Sequence, residues 1–205
     1  MSRCGGQCGT SVVELLASIL LLSILSAMSY SFARAALLSA RAQEAQTEVQ
    51  EVAVLGIDIL SRELRMAGFS AAGQPLVGVR HAEAERVEVV MDLNGDGDTA
   101  DSNEIVTYSY DAERHALMRA TAGGSPQPFA RNVPVGGVRF AYFDAAGGEI
   151  AASDEMPLQD RRRIRRIDVT VRLQHDNPEA GVSVPVRATL TSTVALRNYE
   201  EPANG

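Results

Sequence analysis

One carboxylate stands at the edge of a long uncharged segment of the sequence. Glu14 directly precedes the segment 15–33, in which none of the nineteen residues carries a charge. A helix that crosses a bilayer needs about 20 apolar residues, so this segment has the length and composition to span a membrane. A carboxylate at the mouth of such a helix is costly unless a cation pairs with it. We therefore predict that Glu14 takes part in an ion pair.

Other carboxylates are concentrated in the acidic loop, residues 92–104, which contains five acidic residues and no cation. Oxygen-bearing side chains alternate along its first half and Gly97 can supply a sharp turn, as at the start of an EF-hand loop. Ca²⁺ takes about six to eight oxygen ligands. The side chains expected to supply them are Asp92, Asn94, Asp96, Asp98, Asp101 and Glu104. The twelfth residue, Asn103, is not an acid, so the loop is not an EF-hand. The alternative is a solvated turn between strands, which Asp, Asn and Gly form unaided.

A cluster of arginines precedes a predicted strand, and its members are Arg161, Arg162, Arg163, Arg165 and Arg166. We predict a docking surface for acidic neighbours, such as the acidic loop of another subunit. The alternative is a solvated basic strand entry that Asp160 and Asp168 balance. Nucleic-acid binding is not expected, because the net charge is −7 and no aromatic residues interleave with the arginines to stack on bases.

The sequence offers little for catalysis. His81, His115 and His175 are widely separated and show no metal-ligand spacing. No Gly-x-Ser-x-Gly motif or phosphate-binding glycine loop is found. Two thiols, Cys4 and Cys8, are too few for a zinc site. We expect a protein that is not an enzyme and whose only cofactor, if it has one, is Ca²⁺.

The residues around Glu14 resemble a known processing signal. The stretch GTSVVELL, residues 9–16, is similar to the class III signal of type IV prepilins and pseudopilins. The resemblance implies that a prepilin peptidase cuts after Gly9 and that the new amino terminus, Thr10, is methylated. It also implies that Glu14, the fifth mature residue, pairs with an N-terminal amine, which is the cation that the carboxylate needs. The family usually has an aromatic first mature residue, whereas this chain has Thr10.

A single long helix is expected to present these residues. Residues 11–67 contain no proline and only one glycine, and good helix formers dominate them. We predict a membrane or filament-core half over 10–34 and an amphipathic half over 35–68, with Gly68 as the stop. Ile59 and Leu64 belong to an apolar three- and four-residue spacing that predicts the packed face. The alternative is a membrane anchor followed by a separate helix or coiled coil.

Beyond Gly73 the apolar residues alternate, which predicts strands. The predicted strands are 86–92, 105–110, 115–119, 138–143, 167–173 and 182–196. Short connections imply an antiparallel sheet, and the amphipathic half of the helix can cover its apolar face. The predicted fold class is α+β, with a long N-terminal helix packed on an antiparallel β-sheet head over 69–205. This plan matches the type IV pilin-like fold that the resemblance implies.

The resemblance extends into the head. The segment ELRMAGF, residues 63–69, looks like the helix end of PilW-type minor pilins, and segments 92–108, 142–144 and 147–148 follow in that family's order. J-type minor pseudopilins of type II secretion share the same plan, so they stay an alternative. A third alternative, from a different class, is a bitopic membrane anchor with a calcium-binding or adhesive head.

The resemblance implies a minor pilin that helps to prime or assemble a type IV pilus. Such a subunit is inserted once in the inner membrane, with its N-terminus in the cytoplasm and its head in the periplasm. It loses the leader 1–9 and then joins the pilus at the cell surface. The implied partners are other minor pilins, the major pilin, the prepilin peptidase and the inner-membrane assembly platform.

Overall fold

The structure is a computed structural model that describes residues 12–175 and 186–198. Two helices and nine strands are found in this part of the chain. In chain order they are α1 (Val12–Arg65), β1 (Val79–Ala82), β2 (Arg86–Val90), β3 (Ile105–Asp111), β4 (Ala116–Thr121), β5 (Gln127–Arg131), β6 (Val138–Phe143), β7 (Glu149–Ile150), α2 (Leu158–Arg163), β8 (Arg166–His175) and β9 (Val186–Ala195).

Helix α1 runs without a break for 54 residues, so the predicted continuous helix is confirmed. Its C-terminal part packs on the head through Leu60 and Leu64, and Ala67 in the following turn continues this face; all three are completely buried. These residues are three or four positions apart and therefore share one face. Ile59, which was expected on that face, is 40% exposed. The prediction was wrong by one position because Ile59 and Leu60 are adjacent apolar residues and only one of them can face the sheet.

Helix α1 ends where the chain turns back toward the head. Gly68 has a φ of +76°, a conformation that glycine adopts at little cost, and its N–H donates to the Val90 carbonyl at 2.9 Å. Gly78 lies against this turn, since a Cβ on Gly78 would be 2.2 Å from the Gly68 nitrogen. The predicted helix stop at Gly68 is confirmed, and it also joins the helix to β2.

The head contains two antiparallel sheets where the sequence predicted one. The first has the order β1-β2-β3-β4-β5 and the second the order β7-β6-β8-β9. The chain passes between them through a turn at Pro134 and Gly136, the latter with a φ of +67°. Proline cannot donate to a ladder and a positive φ breaks a strand, so β6 starts a new sheet. The α+β class, with a long helix packed on antiparallel sheets, is confirmed.

Three strands were not predicted, namely β1, β5 and β7. They are short, and β5 contains Pro128, which weakens the strand pattern. In β9, by contrast, exposed residues alternate with more buried ones from Arg187 to Ala195, as predicted. Strand β9 lies at the edge of its sheet, and Ser192 on its inner face bonds the Ser61 hydroxyl of α1 at 2.8 Å. Helix α1 therefore packs against the second sheet at strand β9.

Candidate assembly and metal sites

The first half of helix α1 is an uncovered apolar surface. The segment Val12–Ala40, named the stem, is long and apolar enough to cross a membrane, and none of its most apolar window is buried within the chain. Large side chains such as Leu21 and Phe32 are exposed there. An apolar surface of this size requires a cover of lipid or other apolar helices. The stem is therefore a candidate membrane anchor.

Glu14 lies in the first turn of the stem and is exposed. The Ser18 hydroxyl donates to its backbone carbonyl at 2.8 Å, so this hydrogen bond leaves the carboxylate uninvolved. A negative charge is favoured at a helix N-terminus by the partial positive charge there. Gly9 and Thr10, the predicted cleavage and methylation residues, lie outside the described residues.

Helix α1 is tied to the first sheet by a carboxylate that sequence analysis did not single out. Both oxygens of Glu63 accept hydrogen bonds from Arg119 on β4, at 3.0 and 2.7 Å. The Tyr108 hydroxyl on β3 donates to the same carboxylate at 2.6 Å. Burial of the Tyr108 ring, and then its bond to Glu63, raise the pKa of that phenol. This arrangement holds the C-terminal end of α1 against β3 and β4.

The acidic loop is anchored by its first residue on the segment that follows α1. Asp92 is buried; its Oδ1 accepts from the Gly95 N–H at 2.7 Å and its Oδ2 from the Ser70 hydroxyl at 3.0 Å. The last residue, Glu104, is also buried. Its Oε1 accepts from the N–H groups of Leu93 at 2.8 Å and Asn94 at 3.4 Å. The last residue of the loop is therefore hydrogen-bonded to the backbone at the start of the loop.

The remaining predicted ligands lie in the exposed part of the loop. The Asn94 amide nitrogen donates to Asp96 Oδ2 at 2.9 Å and to Asp101 Oδ2 at 2.7 Å. Asp98 faces solvent, and its Oδ1 accepts from the Ala100 N–H at 2.8 Å. The Asp98 N–H, followed by the Asn94 side chain, lowers the pKa of Asp96. Asn94 thus brings the carboxylates of Asp96 and Asp101 together.

The predicted docking arginines lie in α2 and at the start of β8, and their side chains interact with their own head. Arg163 pairs with Asp144 at 2.9 Å and with Asp160 at 3.3 Å. Arg166 lies 3.3 Å from Asp168. All five members have an interaction within the chain, and they are Arg161, Arg162, Arg163, Arg165 and Arg166. These contacts favour the balanced strand entry, and docking of an acidic neighbour stays a prediction.

A second group of metal-ligand type was missed by sequence analysis. Ligand atoms of His81, Glu83 and Asp154 all lie within 4.8 Å of one another. An isolated bridge between Ala82 and Ser153 brings the two segments together. Because these residues are about seventy positions apart in sequence, no spacing rule could have found the group.

No protein-family model and no curated protein matches the chain. Among solved structures, a type IV-like pilin from Thermus thermophilus is similar, with 16% sequence identity and a TM-score of 0.45. The match covers 73% of this chain and 95% of the other. At that identity and TM-score the likeness by itself carries no conclusion about function.

Proposed function

We propose that this chain is a pilin-like subunit, and more specifically a minor pilin that takes part in priming or assembling a type IV pilus. In this proposal the chain is inserted once in the inner membrane and cut by the prepilin peptidase after Gly9. The new N-terminal Thr10 is methylated. The head lies in the periplasm before assembly and on the filament afterwards.

One observation carries the proposal, which is the division of helix α1 into two halves. The stem is bare, whereas Leu60, Leu64 and Ala67 at the other end are fully buried against the sheets. One rigid helix therefore joins a folded head to an apolar rod. Such a rod is stable in lipid, and it is equally stable in a bundle of similar rods because both surroundings are apolar. A subunit of this shape can pass from a membrane to a helical filament without refolding.

During that transfer, Glu14 selects the axial offset between neighbouring stems. Cleavage after Gly9 would create an α-amino cation four residues before the carboxylate. An unpaired carboxylate among apolar helices is costly, and a neighbouring amine removes that cost. Pairing with the amine of an adjacent subunit therefore favours one axial offset between stems. The expected partners are other minor pilins, the major pilin and the inner-membrane assembly platform.

The mature N-terminus, measured by mass spectrometry on chain purified from cells that contain a prepilin peptidase, tests the proposal. We expect a chain that begins at a methylated Thr10. Gly9→Leu should prevent cleavage, and Gly6→Leu in the same leader is the matched control that should leave it unaffected. An intact Met1 in the wild-type chain would contradict the proposal and favour a bitopic anchor.

The type II secretion pseudopilin is the nearest alternative, because it would share the processing and the stem. Deleting the gene separates the two functions. Loss of surface pili with normal protein secretion supports the pilus assignment, and loss of secretion with normal piliation supports the pseudopilus.

A further inference from the structure

The acidic loop contains a buried carboxylate oxygen with no partner. Glu104 is only 2% exposed, and its Oε2 accepts no hydrogen bond from any residue in the described ranges 12–175 and 186–198. The other oxygen, Oε1, holds the N–H groups of Leu93 and Asn94. These bonds place the carboxylate beneath the start of the loop. A buried anionic oxygen without a donor is costly, and a cation would remove that cost.

Two carboxylates of the loop are held close together, because the side chains of Asp96 and Asp101 both contact the Asn94 amide. Among the ion pairs of the described residues, none involves an acidic residue of this loop.

The Asn94 amide lies where a cation would be expected. Its nitrogen contacts one oxygen of Asp96 and one of Asp101, at 2.9 and 2.7 Å. The oxygen of the same amide accepts from the Asp96 N–H at 2.9 Å and keeps a second lone pair that a cation can use. A cation that displaces the amide nitrogen would therefore meet oxygens of Asn94, Asp96 and Asp101, and Glu104 Oε1 contacts the Asn94 backbone N–H at 3.4 Å.

We propose that the acidic loop binds one Ca²⁺ ion through Asn94, Asp96, Asp101 and Glu104. The ligands are all oxygens, which suits a hard cation. Ca²⁺ accepts an irregular set completed by water, whereas Mg²⁺ requires a compact octahedron. Asp92 acts as a positioning residue, because its two oxygens hold the loop to Gly95 and Ser70. The affinity expected for an extracellular site of this kind is about 10⁻⁴–10⁻³ M.

The group of His81, Glu83 and Asp154 provides an internal control. It includes an imidazole, which suits transition metals more than Ca²⁺, and Glu83 lies 3.5 Å from the Arg86 guanidinium. A neutral variant at Asp154 removes a carboxylate from this group and leaves the acidic loop intact.

The test is thermal unfolding of the full chain in detergent micelles, with CaCl₂ added. The near-ultraviolet circular dichroism of the five tyrosines reports on the head, since the chain has no Trp and four of the tyrosines lie in it. Binding to the folded state alone should raise Tm by about 3–6 °C when Ca²⁺ is tenfold above its Kd. MgCl₂ at the same concentration should give less than half of that shift.

Two ligand variants and one control variant keep the test decisive. Asp101→Asn removes an exposed ligand, so the chain should fold normally and lose the Ca²⁺-dependent rise in Tm. Glu104→Gln should also lose it and keep the bonds to the loop backbone. Asp154→Asn should retain the full rise, and equilibrium dialysis should give one Ca²⁺ per wild-type chain. A wild-type Tm that does not respond to Ca²⁺, an unchanged response in Asp101→Asn, or a response lost in Asp154→Asn would each overturn the proposal.

Discussion

Arg119 donates hydrogen bonds to both carboxylate oxygens of Glu63, at 3.0 and 2.7 Å, and so joins the end of helix α1 to strand β4. The pair is only partly exposed, with 31% of the Arg119 side chain and 23% of the Glu63 side chain accessible. Its two parallel bonds restrict rotation as well as separation. The C-terminal end of α1 therefore has a defined orientation relative to the first sheet.

Neutralising Glu63 should destabilise the head. In Glu63→Gln the amide can accept from only one side, so a bond from Arg119 or from Tyr108 is lost and the guanidinium loses its counter-charge. We expect a loss of about 1–3 kcal/mol in the free energy of unfolding, measured by tyrosine circular dichroism. Glu149→Gln is the matched control, because the exposed Arg139–Glu149 pair should contribute less than about 1 kcal/mol. Equal losses in the two variants would contradict the structural role of Glu63.

Features that depend on neighbouring residues could be predicted from the sequence, and those that depend on distant residues could not. The helix and its stop at Gly68 follow from local composition, and so does the alternation in β9. The partnership of Glu63 with Arg119 joins positions 56 residues apart, and only the packing of α1 on the first sheet brings them together. The division of the head into two sheets depends on the turn at Pro134 in the same way, since strand patterns do not specify which edges pair.

The acidic loop has one feature that the sequence predicts and one that it does not. Its oxygen-rich composition predicted a cation site, but nothing in the spacing distinguished Asp92 from Glu104. In the structure both are buried, yet the oxygens of Asp92 have donors whereas one oxygen of Glu104 has none. That difference comes from the contact of the loop with Ser70, which lies in a segment without a strand or helix pattern.

Alanine at Gly68 should be far more damaging than alanine at Gly73. Both glycines have a positive φ, +76° and +69°, so both substitutions carry the backbone cost of about 1–2 kcal/mol. A Cβ on Gly68 would in addition lie 2.0 Å from the Asn198 carbonyl oxygen, whereas one on Gly73 would meet nothing within 4 Å. We expect about 2–5 kcal/mol of destabilisation for Gly68→Ala. The same unfolding measurement should separate the variants, and similar melting temperatures would show that the helix end is not closely packed.

Asp144 should make the free energy of unfolding of the head depend on pH in the acid range. The Gly148 N–H is the main cause that lowers the pKa of Asp144, with Arg163 and the Ala146 N–H contributing further. Because the carboxylate is favoured in the folded state, its contribution is fully present above the ordinary value of 3.8 and is lost as pH falls through the lowered value.

Urea unfolding from neutral to strongly acid pH provides the measurement for Asp144. Asp144→Asn should be less stable than the wild type near neutrality and equally stable in strong acid. Arg163→Gln is a partial control, since it removes one cause and leaves both backbone bonds. If the difference in the free energy of unfolding between the wild type and Asp144→Asn were the same at every pH, the carboxylate charge would have no role.

Glu14→Gln should insert in the membrane normally and fail to assemble. The amide has nearly the shape of the carboxylate, so the stem keeps its length and apolar surface, but it cannot form an ion pair with an amine. Removing one partner of a buried ion pair leaves the other charge unpaired, which costs about 3–5 kcal/mol. We therefore expect at least about a tenfold drop in the assembled fraction. The measurement compares the amount of chain in the membrane with the amount in sheared surface filaments.

The controls for Glu14 separate charge from helix structure. Glu14→Asp keeps the charge on a shorter side chain and should restore part of the assembly. Ser18→Ala removes only the hydroxyl bond to the Glu14 carbonyl and should assemble like the wild type. If Glu14→Gln assembled normally while Ser18→Ala did not, the first turns of the stem would act through helix structure. That result would leave the register to Arg34 and the serines of the stem or to contacts between heads.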